Sequence, residues 1–345
     1  MNEILNNPNF EYYRQKFAVL ANNNYFRGAR DAWVKRLREF GFEAEGFEKF
    51  EDFKNYDPTC VIVIGINYFE KPKDRSKIWV AVQQEQFYHP KIGGVYEAKL
   101  WFKRSLPYLK NYDIILDFSK TNVEVMEKCR QLRKKNIIMH SPAGAGEFSI
   151  CENTNTEKEY DLLFVGWHSR SKHMPYSRRY GILEPLLKKY NVYPLSNSLW
   201  GEKKQEAIRK SKICLNLHPE ETRVMESSRF LDYFANHAFV MSDRIYDPAP
   251  FADGEDFVSF FLTDIEDKID YYLSHEEERN RIADNAFEKV KKISFGKDAV
   301  ALTLDAVLLE AEKRNYPKVM KQFNYRRRRQ WIYDHLPKNI RDRIM

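Results

Sequence analysis

The chain has 345 residues, of which 43% are hydrophobic, 15% aromatic and 31% charged, with only 13 Gly and 14 Pro. That length predicts two domains or one large α/β unit, and the composition supports packed cores while excluding collagenous and disordered chains. The net charge is +7, and nine Lys or Arg against two Asp in residues 316–345 carry the whole surplus; the rest of the chain is neutral, which disfavours a nucleic-acid coat over the whole surface.

In chain order, Phe17–Ala21 reads as a buried strand followed by the polar loop Asn22-Asn23-Asn24. Residues 29–40 carry Ala32, Val34, Leu37 and Phe40 at helical spacing and stop at Gly41. Further strands are predicted at 60–65, 78–82, 114–116 and 136–139, with helices near 93–107 and 121–134. Strands that alternate with helices predict a parallel sheet covered on both faces.

The pattern breaks at Ser141-Pro-Ala-Gly-Ala-Gly146 and the polar segment 151–158, the composition of an interdomain connection. It resumes with strands at 160–166, 192–195, 213–217 and 238–241, and helices at 179–190, 202–210, 228–236 and 276–292. Two doubly wound halves are predicted, with boundaries at 1–150 and 151–313 and a basic, aromatic tail at 314–345. Ligands of such sheets sit beyond the carboxyl ends of the strands.

Four cysteines, Cys60, Cys129, Cys151 and Cys214, lie far apart without a CxxC pair, so they suggest neither a zinc site nor a disulfide framework. The first sixteen residues lack a basic-then-apolar signal pattern, and no uncharged apolar run reaches membrane-spanning length. A cytoplasmic protein is expected.

The most informative stretch runs from Ser227 to Asp243. Serines start a short helix whose Phe230, Leu231 and Phe234 share one face, leaving Arg229 and Asp232 about 4.5 Å apart along the axis. At a helix N-terminus Ser228 and Arg229 can hold a diphosphate while Asp232 accepts ribose hydroxyls. The same spacing suits an i,i+3 ion pair on a solvated face.

This stretch, followed by Phe251-Ala-Asp-Gly-Glu-Asp-Phe-Val258, Ile265–Leu273 and Glu278-Arg-Asn-Arg-Ile-Ala283, resembles the C-terminal domain of GT-B glycosyltransferases. The pattern is similar to that of the CgeB-like group, over about residues 160–295. The resemblance implies that Arg229 and Asp232 bind a donor nucleotide, with Asp232 standing where the family has glutamate. It also implies a loop against the donor phosphates at Gly166–Ser171, in which Gly166 admits close approach and Arg170 neutralises the leaving group. His218, in Leu217-His-Pro-Glu220 on the same strand edge, is either a further donor contact or a structural turn residue.

In the N-terminal half, acceptor contacts are expected from Asn22, Asn23 and Arg27. A general base is expected from Glu85, with His89 beside it; Asp117 and His140 are weaker candidates that suit a satisfied polar role equally well. No Asp-x-Asp triplet stands in a metal-nucleotide context, so no metal or other cofactor is expected. Neither a Walker loop nor a GxGxxG fingerprint follows a strand.

The resulting expectation is a two-domain α/β GT-B glycosyltransferase that moves a sugar from a nucleotide sugar to a glycan or lipid-linked saccharide. Lys318 to Arg343, with Tyr325 and Trp331 among the basic residues, either touch an anionic membrane surface or close the architecture. A phage-type DNA glucosyltransferase and a non-catalytic GT-B-like scaffold are the alternatives.

Overall fold

The computed structural model describes residues 15–22, 24–53, 55–83, 85, 87, 95–140, 150–151, 156–168, 178–196, 199–218, 227–245, 248–293, 299–311 and 313–314, with backbone alone at 24, 25, 95–101, 227 and 228. His89, Asn23, Arg170, the side chain of Ser228 and the tail 315–345 therefore lie outside the described residues.

The first sheet has six parallel strands: β1 (Lys16–Leu20), β2 (Glu43–Phe47), β3 (Cys60–Ile64), β4 (Ile78–Val82), β5 (Ile114–Asp117) and β6 (Asn136–Met139). Their spatial order is β2-β1-β3-β4-β5-β6. The winding reverses direction between β1 and β3, which makes that junction the topological switch point. Three helices accompany the sheet: α1 (Asn24–Glu39), α2 (Val95–Leu109) and α3 (Lys120–Lys128).

Alternation of side chains sends each apolar strand into two cores. Phe17, Val19, Ile62 and Ile64 join one, while Ala18, Leu20, Val61 and Val63 join the other. Burial on both faces is why β3 and β4 are continuous apolar runs with every residue buried.

The second sheet has four parallel strands, β7 (Tyr160–Phe164), β8 (Ser211–Asn216), β9 (Val240–Asp243) and β10 (Val258–Phe260), in the order β10-β9-β8-β7. Its helices are α4 (Arg178–Lys189), α5 (Gly201–Arg209), α6 (Ser227–Phe234), α7 (Ile265–Ser274) and α8 (Glu276–Lys292). Again there are two cores, one holding Leu163, Cys214 and Val240 under α6, the other holding Leu162, Ile213, Leu215 and Met241.

Several elements depart from the sequence reading. Strand β2 was not expected, because Glu43-Ala-Glu-Gly-Phe buries only Ala44 fully and pairs with β1 alone, leaving little apolar signal. Asn24 opens α1 instead of extending the loop. The strand expected at 192–195 is a single bridge from Val192 to Leu162. Helix α3 ends at Lys128, where the basic stretch continues in turns that still bury Leu132.

The chain then returns. In the helical segment 299–311, Ala299, Val300, Leu304, Ala306, Val307 and Ala311 pack with Trp33 and Phe42 of the first domain. Arg314 fastens its end, 2.9 Å from the Asp113 carboxylate and bonded to the Arg75 and Lys77 carbonyls. The crossing back thus begins within residues assigned to the second domain, ahead of the boundary drawn at 313.

Candidate functional site

Three arginines gather at the carboxyl edge of the second sheet. Arg229, in the first turn of α6, donates from Nη1 to Asn216 Oδ1 at 2.8 Å and to the Leu217 carbonyl at 3.3 Å. Arg179, second residue of α4, donates from Nε to the same Leu217 carbonyl at 2.7 Å and from Nη1 to the Trp167 carbonyl at 3.1 Å. Both guanidinium carbons lie 5.5 Å from the Phe164 ring centroid, within cation–π range.

Two helices thus begin at this edge with no acid in the first turn. Cations there oppose the helix dipole, so the arrangement works against helix stability while concentrating positive field on one spot. That field suits a polyanion.

Backbone and framework set the geometry. Gly166 has φ +146°, and a Cβ there would stand 3.0 Å from Arg229 Nη2 and 3.2 Å from the Phe164 ring. The close approach read from the sequence at Gly166 is therefore one made by the Arg229 guanidinium. One turn further along α6, the buried Tyr233 hydroxyl accepts from Val165 N–H at 3.2 Å and donates to the Leu215 carbonyl at 3.3 Å. It pins α6 to the ends of β7 and β8, which fixes where Arg229 points.

The third arginine, Arg178, makes a two-pronged pair with Asp243 at the end of β9, each bond 2.8 Å. Asp243 also accepts from His218 N–H at 2.8 Å. Burial works against the Asp243 carboxylate, but the bonds from Arg178 and His218 outweigh it and hold its pKa well below the ordinary range.

His218 requires a correction. It is 1% exposed, and its Nδ1 lies 3.5 Å from Asp243. That burial and the bond from its N–H to Asp243 favour a structural role at this edge. Asp232 pairs with Lys204 of α5, in place of the i,i+3 pair with Arg229 that the spacing allowed.

At the carboxyl edge of the first sheet the chemistry is different. Gln83 follows β4, and its Oε1 accepts from Glu85 N–H at 3.0 Å. Asn122 in α3 donates to the Glu85 carbonyl at 2.9 Å and to Asp117 at 3.0 Å, and accepts from Phe87 N–H at 2.9 Å. Asp117 closes β5 and accepts from Ser119 N–H at 2.7 Å. Burial raises its pKa to about 7 against the pull of these bonds, and burial also raises that of Glu85. His140, 6% exposed, ends the neighbouring strand, its N–H bonded to the Asp117 carbonyl.

Asn22 follows β1 and donates to the Tyr68 carbonyl at 3.3 Å. Arg27 is exposed on α1 and reaches Glu48 at 3.4 Å. Among the described residues no group of three or more His, Cys, Asp or Glu stands close enough to hold a metal, and no helix is long and apolar enough to cross a membrane.

Residues 161–294, which include the arginine edge, match the family described as "Glycosyl transferase-like". The described residues have the GT-B fold: the chain is similar to sucrose-phosphate synthase from Thermosynechococcus elongatus, with TM-score 0.58 at 9% identity over 90% of this chain and 100% of that one. It is likewise similar to Anabaena Alr3699/HepE in complex with UDP and glucose, with TM-score 0.54 at 8% identity over 84% and 99%. No curated protein sequence matches the chain.

Within residues 161–294, the sequence reading named Gly166 and Arg229 and did not name Arg178, Arg179, Lys204 or Asp243. One signal was available for two of them. Paired arginines opening a helix just after a strand-and-loop are locally unfavourable, and such a violation marks a site more often than a surface.

Proposed function

We propose that the protein transfers a sugar from a nucleotide-activated donor, held in the domain of residues 161–294, to a hydroxyl of a glycan or lipid-linked saccharide at the first domain. The observation that carries this reading is the convergence of Arg179 and Arg229 over Phe164 at the starts of two helices. Bonds to the Leu217 and Trp167 carbonyls and to the Asn216 amide oxygen hold both guanidiniums at this edge. The neighbouring HepE structure with bound UDP and glucose lends the reading support.

In this mechanism the arginines and the helix N-termini stabilise negative charge that builds on the leaving nucleotide as the glycosidic bond breaks. They do so without a metal. Asp232 accepts from the ribose hydroxyls, and Lys204 holds its carboxylate in place. Glu85 accepts the acceptor hydroxyl's proton. Its burial brings the carboxylate closer to working pH, where a base is most effective, and the Gln83–Asn122–Asp117 network holds its backbone. The enzyme works in the cytoplasm, with the basic tail against an anionic membrane surface.

Calorimetric titration with a panel of nucleotide sugars and free nucleotides tests the proposal. At least one should bind, and Arg229→Ala should weaken it by about 1.5–3 kcal/mol, the scale of a lost charged hydrogen bond. A protein that binds none of them is a scaffold. A protein whose Arg229→Ala variant binds equally well uses another site.

A further inference from the structure

We propose that the amino edge of the first sheet docks on an anionic lipid surface through the cations of the turns at 128–135. The proposal rests on the membrane setting given above and is independent of glycosyl transfer.

Net neutrality outside the tail conceals a local excess. Between α3 and β6 the chain carries Lys128, Arg130, Arg133, Lys134 and Lys135 and no acid. The first four are exposed and Lys135 is half-buried. Other surface cations of this domain have an acid beside them: Lys16 has Glu43, Arg36 has Glu39 and Lys73 has Glu70. Lys128, Arg130, Arg133 and Lys134 have no ion-pair partner among the described residues. Like charges gathered without counter-charges repel one another, and an anionic partner relieves that repulsion.

The turns are ordered before any partner arrives. Backbone N–H groups of Cys129, Leu132 and Lys135 bond to the carbonyls of Met126, Cys129 and Leu132 at 3.0, 2.9 and 2.8 Å. Two tight turns thus follow α3 directly, pinned by Leu132, which is fully buried in the core that holds Met126 and Ile115. Arg130 lies inside the first turn, Arg133 and Lys134 inside the second. The cations project from a fixed backbone, so docking orders side chains alone.

Tertiary structure brings further groups to this edge. Asn136 N–H, at the start of β6, bonds to the Asp113 carbonyl at 3.2 Å, and the Asp113 carboxylate holds Arg314. Arg75, exposed, offers its carbonyl to the same guanidinium. The acids here, Asp113 and Glu310, both pair with Arg314. Leu309, next to Glu310, is 62% exposed. Because the basic tail continues the chain from Arg314, it is tethered at the same edge.

The chemistry favours lipid over nucleic acid. Residues 128–135 include no aromatic side chain on which a base could stack. Ammonium and guanidinium groups with an exposed leucine nearby suit headgroup phosphates above an acyl boundary. Docking there leaves the carboxyl edge of the first sheet, at the opposite ends of its strands, clear of the headgroups.

Binding of the full chain to mixed phosphatidylcholine–phosphatidylglycerol vesicles, to pure phosphatidylcholine vesicles and to a short DNA duplex, measured separately, tests this. The mixed vesicles should bind the protein and release it as salt rises; the neutral ones should not bind it. The double variant Arg133→Gln, Lys134→Gln should weaken vesicle binding roughly thirtyfold, the scale of two surface cations at about 1 kcal/mol each. The control Lys188→Gln, Lys203→Gln removes the same charge from exposed positions of the second domain and should leave binding unchanged. Melting curves report that both variants fold. Vesicle binding unmoved by the first variant would assign the membrane to the tail and overturn the proposal. Equal losses from both variants, or a duplex that binds more tightly and responds to the first variant, would overturn it as well. No vesicle binding at all would remove the membrane setting too, while titration with nucleotide sugars still decides the donor reading by itself.

Discussion

The two sheets share a construction and differ in what stands at their carboxyl edges. Both are parallel, and both bury alternate residues in two cores. At the edge of the second sheet Arg178, Arg179 and Arg229 converge. At the first, the side chains of Gln83, Asp117 and Asn122 form a network that holds the Glu85 backbone, and burial raises the pKa of both acids. Architecture therefore decides where a ligand can sit, and the few residues after each strand decide its charge. One edge is suited to holding an anion, the other to moving a proton.

That contrast can be broken from either side. The largest effect is expected at Asp243: Asp243→Ala leaves Arg178 without its two-pronged partner at a mostly buried position, and urea unfolding should show a loss of about 3–5 kcal/mol. A loss below 1 kcal/mol, well under that scale, would mean that water already screens the pair.

On the opposite edge the effect depends on pH. Asp117 is an acid whose pKa is raised to about 7 by burial. Below the ordinary carboxylate pKa it is protonated in both states. Between there and about 7 the unfolded chain ionises first, so the native state loses stability as pH rises, and above about 7 the loss is complete. Asp117→Asn removes this slope: its stability relative to the natural chain should climb through that window by up to about 1.4 kcal/mol per pH unit. A difference that stays flat with pH would show that Asp117 is ionised at little cost.

Smaller changes sharpen the picture. Gly166→Ala puts a Cβ against Arg229 and strains a φ of +146°, which should cost about 1–3 kcal/mol in thermal unfolding and weaken donor binding in calorimetry, because the guanidinium must move. Tyr233→Phe removes the bonds to Val165 and Leu215 and should cost about 1 kcal/mol. Its donor affinity should fall too; a stability loss with unchanged affinity would show that α6 holds its place without the hydroxyl.

Much of the fold was legible beforehand. Ile78–Val82, Asn136–Met139 and Glu276–Lys292 stand where the sequence placed them, because continuous apolar runs and a long 3.6-residue period are local signals. Glu43–Phe47 was not legible, since an edge strand with one fully buried side chain carries almost none. At the candidate site, Gly166 and Arg229, both named from the sequence, meet at one edge. The sequence left His218 open between a donor contact and a structural role, because a histidine after a strand looks alike whether it faces a ligand or, as here, is buried against Asp243.

By itself the sequence determined the two rounds of strands and helices, the apolar faces that build four cores, and the arginine in the first turn of α6, all of which depend on residues close together in the chain. Only the tertiary structure decided that Arg179 and Arg229, 50 positions apart in number, share one carbonyl and one aromatic ring, that Lys204 claims Asp232, and that residues 299–311 complete a core begun at Phe17. Those pairings join distant segments whose meeting depends on how the sheets stack their helices, and no local spacing encodes that.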